Sequence, residues 1–253
     1  IALDTFNFGC MYELGQTAKM KEMMRADAND YDQLALDYCA AGANEDAHRI
    51  WKMAIADGAT TPMTYYYMAW CQYMMMTNGE GEGILTTPQL HNLKTTLAKA
   101  EAEAPDYCFP TRLEAVLALR KAMEINPDDA RAPYYLGNLY YDTRQYDLAI
   151  DLWERASRLD PTFPTAWRNL ALATFNKLGD TGKAVELMER AFSLDQTDAR
   201  VLMELDQLYK RLGRDHKERL TFLRKYPDLI AQRDDLLLEE ITLLNLTGDY
   251  RKA

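Results

Sequence analysis

Glycine and proline are scarce in this chain of 253 residues, with 12 and 9 copies, and they cluster between apolar-periodic segments. No segment alternates apolar and polar residues in the way that a half-buried strand does. No apolar run approaches the roughly 20 residues needed to cross a bilayer, and no charged segment followed by an apolar core opens the chain. These absences predict an all-α protein with short turns and no membrane insertion.

Positively charged residues are also few, because the chain has 29 lysines and arginines and 39 acidic residues, which gives a net charge of -10. A surplus of negative charge repels phosphate backbones. We therefore expect no nucleic-acid partner.

Sequence patterns that carry catalysis or bind a metal are missing as well. No HExxH, GxSxG, P-loop or GxGxxG motif occurs, and the histidines are isolated at His48, His91 and His216. Two acidic pairs, Asp128-Asp129 and Asp234-Asp235, stand where helices are predicted to begin, and capping and the helix dipole explain acids there. We expect no enzymatic activity, cofactor or metal within this chain.

One segment stands out, ARAPYYLGNLYYDTRQYDLAIDLWERASRLDP at Ala130–Pro161, because its spacing of small, aromatic and aliphatic residues recurs along the chain. Steps of 34 or 35 residues, or multiples of them, connect the pairs Leu34-Ala35, Met68-Ala69, Leu136-Gly137, Leu170-Ala171 and Leu205-Asp206. A second small residue recurs in the same register, at Ala47, Ala115, Ala149, Ala184 and Ala253. A period near 34 is typical of stacked helix pairs.

The residues at these positions resemble the signature of the tetratricopeptide repeat family, namely Leu136, Gly137, Tyr140, Tyr146, Ala149, Ala156 and Pro161. The resemblance is closest over 130–163 and extends to 28–61 and 164–198. It implies a right-handed α-solenoid of antiparallel helix pairs. It weakens over 199–233, where Asp206 and Glu218 replace small residues and predict looser packing.

The pattern is irregular near residues 77–110. A first helix is predicted over Thr61–Met76, and a second helix follows a glycine-rich loop. Pro105–Pro110 then precedes another helix of the second type, and six extended residues span roughly the 20 Å of a 14-residue helix. We expect an extended leg there in place of a first helix, packed through Tyr107, Cys108 and Phe109. Alternatively, the helix from Pro88 to Ala104 is the first helix, and the loop replaces a second one.

These assignments divide the chain into a single solenoid of repeat-like units. The expected units are 1–27 (partial), 28–61, 62–105 with an inserted loop at 77–87, 106–129 with the leg, 130–163, 164–198, 199–233 and 234–253 (truncated). Because both ends interrupt the pattern and the chain begins with Ile1, we expect it to be a fragment of a longer protein.

Four cysteines recur about once per repeat, at Cys10, Cys39, Cys71 and Cys108, with no CxxC pair. This spacing favours small buried residues over disulfides. The compartment stays open, with the bacterial cytoplasm favoured over the periplasm.

In the family that the repeats resemble, the first helices line a concave surface. On this sequence that surface would contain Arg131, Tyr134, Asn138, Tyr141, Arg168, Asn169, Phe175, Arg200 and Gln207. Aromatic and cationic residues in an otherwise acidic chain suggest a groove for an extended, acidic or carboxylate-bearing peptide. A clamp for a terminal carboxylate is matched only in part, because Tyr134 and Glu204 stand where the family clamp has cations.

The function that follows is a non-catalytic scaffold that binds a peptide, a protein or flanking domains of its own chain. A second resemblance rests on the runs DYCFPTRLEA, DARAPYYLGNLYYD and WRNLALATFNK, which look like the repeat region of large bacterial proteins that carry a galactose-mutarotase-like β-sandwich. It implies the alternative of an accessory module of a carbohydrate-active enzyme, shaping a glycan site formed mainly by a missing domain.

Overall fold

The computed structural model describes residues 6–77, 83–106 and 108–251, and these residues form helices and turns without a strand. The chain divides into two compact units, unit 1 (Ile1–Leu139) and unit 2 (Tyr140–Ala253), and the division falls within a helix. The predicted all-α fold class is confirmed for these residues, which form pairs of packed helices. The assignment of individual repeat units stays a prediction.

The helices of unit 1 are α1 Phe8–Glu13, α2 Thr17–Met24, α3 Ala28–Ala40, α4 Asn44–Ala56, α5 Pro62–Met76, α6 Thr87–Ala102, α7 Glu114–Ile125 and α8 Arg131–Asp142, the last of which continues into unit 2. Those of unit 2 are α9 Tyr146–Leu159, α10 Pro164–Ala173, a π-helical turn Thr174–Leu178, α11 Thr181–Leu194, α12 Ala199–Leu212, α13 His216–Leu223, α14 Pro227–Ile230 and α15 Asp234–Leu246.

The pair α3–α4 shows how the repeat sequence produces a helix pair. Asp27 caps α3 by accepting a hydrogen bond from the backbone N–H of Asn29 at 2.8 Å. The turn after α3 contains Gly42 with φ 79°, a left-handed conformation that favours glycine. This short turn sends α4 back along α3, and the fully buried Ala47 of α4 belongs to the core that the two helices share.

Helix α5 lies at the centre of unit 1. Thr61 and Thr64 form a capping box at its start, and Pro62 occupies the first turn, where a missing N–H costs nothing. Its tyrosines Tyr65, Tyr66 and Tyr67 are all buried. Because α3, α4, α6 and α7 all pack against it, α5 has almost no polar face.

The described residues between α6 and α7 are not helical, and α7 begins at Glu114 rather than at Thr111. Cys108 is buried, but Phe109 is 71% exposed, so the prediction that Phe109 fills the core is wrong. A ring that is this exposed buries little apolar surface, so Phe109 cannot take over the packing role of a helix, and the extended leg itself stays a prediction. Tyr107 lies outside the described residues. Helix α7 itself packs on α5 and α6.

In unit 2, α10 packs on α11 and α11 packs on α12. The small residues Ala171 and Ala184 are fully buried in this core, as the repeat register predicts. Helix α10 continues into the π-helical turn, which ends at Gly179 in a left-handed conformation with φ 70°. A π-helical turn contains one extra residue per turn and so rotates the side chains that follow it.

The looser packing predicted over 199–233 is wrong. Asp206 is fully buried, and it accepts hydrogen bonds from Nε and Nη2 of Arg219 at 3.0 and 2.6 Å. Arg219 is only 2% exposed and also donates to Glu239 at 2.6 Å. Glu218, the residue expected to face the core, is exposed. The acid at position 206 is therefore one part of a buried ion cluster.

The four cysteines are free thiols. Cys71 and Cys108 are buried, as predicted, and Cys39 is half-buried. Cys10 is exposed, so the prediction of a buried residue is wrong there, because Cys10 lies on the outer side of the short helix α1.

Candidate functional site

The predicted site residues of unit 1 lie on α8, and one of them is poorly accessible. Tyr134 is 6% exposed, and its ring packs edge-on against Tyr135 at 5.1 Å between centroids. Arg131 and Asn138 are half-buried. Tyr134 can therefore offer a partner little surface, because its ring is used in the core.

The start of α8 is held by a cluster that the sequence shows only as a helix cap. Asp129 accepts hydrogen bonds from the backbone N–H groups of Arg131 and Ala132 at 2.8 and 3.0 Å, as capping predicts. The hydroxyl of Tyr66, on α5, donates to the same carboxylate at 2.9 Å. Burial raises the pKa of Asp129, and burial and then the charge of Asp129 raise the pKa of Glu101 to about 7.

In unit 2, Arg168 does not present a free cation. Its Nε donates to Oε2 of Glu204 at 2.6 Å, and its Nη2 donates to Oε1 of the same carboxylate. This two-pronged ion pair joins α10 to α12 and satisfies the charge of Arg168. Glu204 is one of the departures from the carboxylate clamp, and its carboxylate is the group that pairs with Arg168.

Three residues of α12 share one face of that helix at spacings of four and three residues, namely Arg200, Glu204 and Gln207. Arg200 is exposed and Gln207 is half-buried. On α10, Asn169 is half-buried beside the ion pair, with Oδ1 3.5 Å from Nη1 of Arg168. We call this set the α10–α12 face, formed by Arg168, Asn169, Phe175, Arg200, Glu204 and Gln207.

The aromatic part of the predicted site divides between two environments. Phe175 is half-buried in the π-helical turn and packs against the core of unit 2. Tyr141 contacts Tyr146 and Trp153 at centroid distances of 5.1 and 5.3 Å. Nζ of Lys177 lies 3.8 Å from the ring centroid of Tyr146, a cation–π contact. Tyr141 therefore belongs to an aromatic cluster that already has a cation.

Groups with metal-binding geometry do not appear in the described part of the chain. No three histidine, cysteine or acidic side chains come together there as a metal site would require. Among the helices of residues 6–77, 83–106 and 108–251, none combines the length and apolar character of a membrane span.

Comparison with known families identifies the repeats. Residues 111–153 match the family model described as Tetratricopeptide repeat, and residues 137–177 match the one described as TPR repeat. Within residues 111–177, the chain contains tetratricopeptide repeats. Together, these matches include the whole of the segment Ala130–Pro161.

One curated relative is Serine/threonine-protein phosphatase T of Trypanosoma brucei brucei (strain 927/4 GUTat10.1), which is 34% identical over 100 residues. The match includes 40% of this chain but spans only 21% of the phosphatase.

Two solved structures are similar to this chain. Pseudomonas aeruginosa pilF is 20% identical, with 88% of this chain and 85% of that chain covered and a TM-score of 0.46. MamA from Desulfovibrio magneticus RS-1 is 21% identical, with 82% and 97% covered and a TM-score of 0.42.

Proposed function

We propose that this protein is a non-catalytic scaffold that binds a protein or peptide through the first helices of its tetratricopeptide repeats. The α10–α12 face of unit 2 is the part of that site for which the side-chain geometry is most favourable. Its supporting observation is that exposed Arg200 and half-buried Gln207 lie on one face of α12, which the Arg168–Glu204 ion pair joins to α10 and its half-buried Asn169.

The ion pair between Arg168 and Glu204 joins the two helices that form this face. The amides of Asn169 and Gln207 can each donate and accept hydrogen bonds, which suits the backbone of an extended peptide. Arg200 is the cation of the face that has no acidic partner among the described residues, so it is the residue that would meet a carboxylate. The proposed ligand is an extended peptide with an acidic residue opposite Arg200.

Selection from a displayed library of random peptides tests this proposal without a known partner. We expect the selected peptides to carry acidic residues and to bind the chain in fluorescence anisotropy. Arg200→Ala and Gln207→Ala should each weaken binding about tenfold, which corresponds to about 1.4 kcal/mol.

Lys183→Ala is the matched control, because Lys183 is an exposed cation on the second helix α11. It should leave the affinity unchanged. Equal binding by the Arg200, Gln207 and Lys183 variants would show that the peptides use another surface.

The resemblance to proteins with a galactose-mutarotase-like domain stays a prediction. We propose no second function.

A further inference from the structure

Unit 1 contains a cavity of about 420 Å³ between α1 and α3. Its lining includes three acidic and three aromatic residues, namely Glu13, Asp30, Asp37, Phe6, Phe8 and Tyr38. Binding pockets of proteins commonly have volumes of about 300–1,000 Å³. None of these residues belongs to the α10–α12 face.

The charges at the cavity are not balanced by cations of this protein. Asp37 pairs with Arg112 at 3.3 Å, but Arg112 also binds Glu114 at 3.0 Å and is shared between the two acids. Glu13 accepts a hydrogen bond from the Tyr38 hydroxyl at 2.6 Å. Neither Glu13 nor Asp30 has an ion pair with a cation among the described residues. The cavity therefore keeps two unmatched negative charges.

Acidic side chains in unit 2, unlike Glu13 and Asp30, form ion pairs with arginines of the chain. There, Glu204 pairs with Arg168, and Asp206 and Glu239 pair with Arg219. Asp30 is half-buried like Glu204, yet burial and then the charge of Asp27 raise the pKa of Asp30 without an opposing cation. An external cation would supply the missing interaction.

One guanidinium of the chain already binds two residues of the cavity lining. The guanidinium of Arg112 donates to Oε1 of Gln33 at 2.5 Å and reaches Asp37 with both Nη atoms at 3.3 Å. A planar guanidinium can bind carboxylates with two prongs and can stack on aromatic rings, whereas an ammonium group is a compact, strongly hydrated charge. The lining of the cavity offers both kinds of partner.

We propose that the cavity between α1 and α3 binds an arginine side chain of a partner protein. The carboxylates of Glu13 and Asp30 receive the guanidinium, and Phe6 and Phe8 contact its faces. This surface is separate from the proposed peptide-binding face, and it prefers the opposite ligand charge.

The test uses three small probes with neutral ends, titrated into the full chain and followed by ¹H–¹⁵N NMR. N-acetyl-arginine methylamide should bind with a Kd on the order of 1 mM and shift the amides of α1 and α3. The citrulline analogue has the same shape without the charge and should not bind. The lysine analogue should bind at least severalfold more weakly.

Variants then locate the binding. The double variant Glu13→Gln/Asp30→Asn keeps the shapes of both side chains and should weaken arginine binding about tenfold. Phe6→Ser removes an aromatic ring that is 68% exposed, so it leaves the core intact and should weaken binding severalfold. Glu22→Gln, an exposed acid on α2, is the matched control and should have no effect.

The proposal would be overturned if the arginine probe caused no amide shifts in α1 and α3. It would also be overturned if Glu22→Gln weakened arginine binding as much as Glu13→Gln/Asp30→Asn does. Equal affinity for the lysine probe would overturn the preference for a guanidinium. Arg200→Ala should leave arginine binding unchanged, which separates a failure of this proposal from a failure of the proposed peptide-binding face.

Discussion

At the scale of the residue, the ion cluster of unit 2 is the feature that departs most from the repeat signature. Asp206 stands where the family has a small residue, and the repeat pattern gives no sign of its partner. Arg219 lies 13 positions later on another helix, and Glu239 lies 20 positions beyond Arg219. Because ion pairs depend on three-dimensional approach, the repeat register alone could not reveal the cluster.

Removal of Arg219 should strongly destabilise unit 2. Arg219→Met would leave the buried carboxylate of Asp206 without its ion-pair partner and would remove one of the two cations that contact Glu239, at a cost of about 3–5 kcal/mol in the free energy of unfolding. Urea denaturation followed by circular dichroism measures this cost. Adding Asp206→Leu should restore part of the stability, because it removes the orphaned charge.

Arg224→Met is the matched control, because Arg224 pairs with Glu240 at 3.0 Å near the surface. A surface ion pair contributes about 0–1 kcal/mol. Similar losses in the Arg219 and Arg224 variants would contradict a special role for the buried cluster.

At the scale of the element, helix starts were predictable where a capping residue is local in sequence. Asp129 caps α8 as the acidic pair predicts, and Asp234 and Asp235 lie in the first turn of α15. The bond from Tyr66 to Asp129 spans 63 positions and was not predictable, because it depends on how α5 packs. The non-helical stretch before α7 contains one buried residue, Cys108, and one exposed residue, Phe109, and the sequence pattern did not distinguish them.

Asp129→Ala should destabilise unit 1 through the start of α8. The change removes the acceptor for two backbone N–H groups and leaves the buried hydroxyl of Tyr66 without its acceptor, so we expect a loss of about 2–4 kcal/mol. The thermal midpoint and the urea midpoint should both fall. Asp128→Ala is the control at the neighbouring position, because Asp128 is exposed, and its effect should stay below about 0.5 kcal/mol. Equal effects at the two positions would contradict the capping role of Asp129.

At the scale of the whole molecule, buried carboxyl groups couple the stability of the chain to pH. Burial raises the pKa of Asp32 to about 7, although hydrogen bonds from Trp51 and Thr64 lower it. These bonds are 2.9 and 3.1 Å long. The pKa values of Glu101 and Asp129 are raised as well, mainly by burial. The folded chain therefore keeps protons that the unfolded chain has lost.

This difference predicts that the free energy of unfolding falls as pH rises from about 4 to about 7 and becomes level above that range. One fully buried carboxyl contributes at most about 1.4 kcal/mol per pH unit. Asp32→Asn keeps the shape of the side chain without the titration, so it should reduce the slope between about pH 5 and pH 7. Urea titrations at several pH values measure this slope of the free energy of unfolding against pH.

Asp151→Asn, at an exposed position on α9, should keep the slope of the unaltered protein. If Asp32→Asn changed stability by the same amount at every pH, the titration of Asp32 would not be the cause.

The absence of nucleic-acid binding and the favoured compartment also concern the whole molecule, and both stay predictions.

The sequence by itself determined the helix pairs and their period, because the apolar and small residues that define a repeat lie within one helix or its immediate neighbour. It also determined which acids begin helices. Only the tertiary structure decided which charges are satisfied. The pairing of Arg168 with Glu204 spans 36 positions, and it removes a cation that the sequence assigned to ligand binding. The cavity between α1 and α3 likewise arises from packing, since the exposure and pairing of a polar side chain depend on neighbours that are distant in the chain.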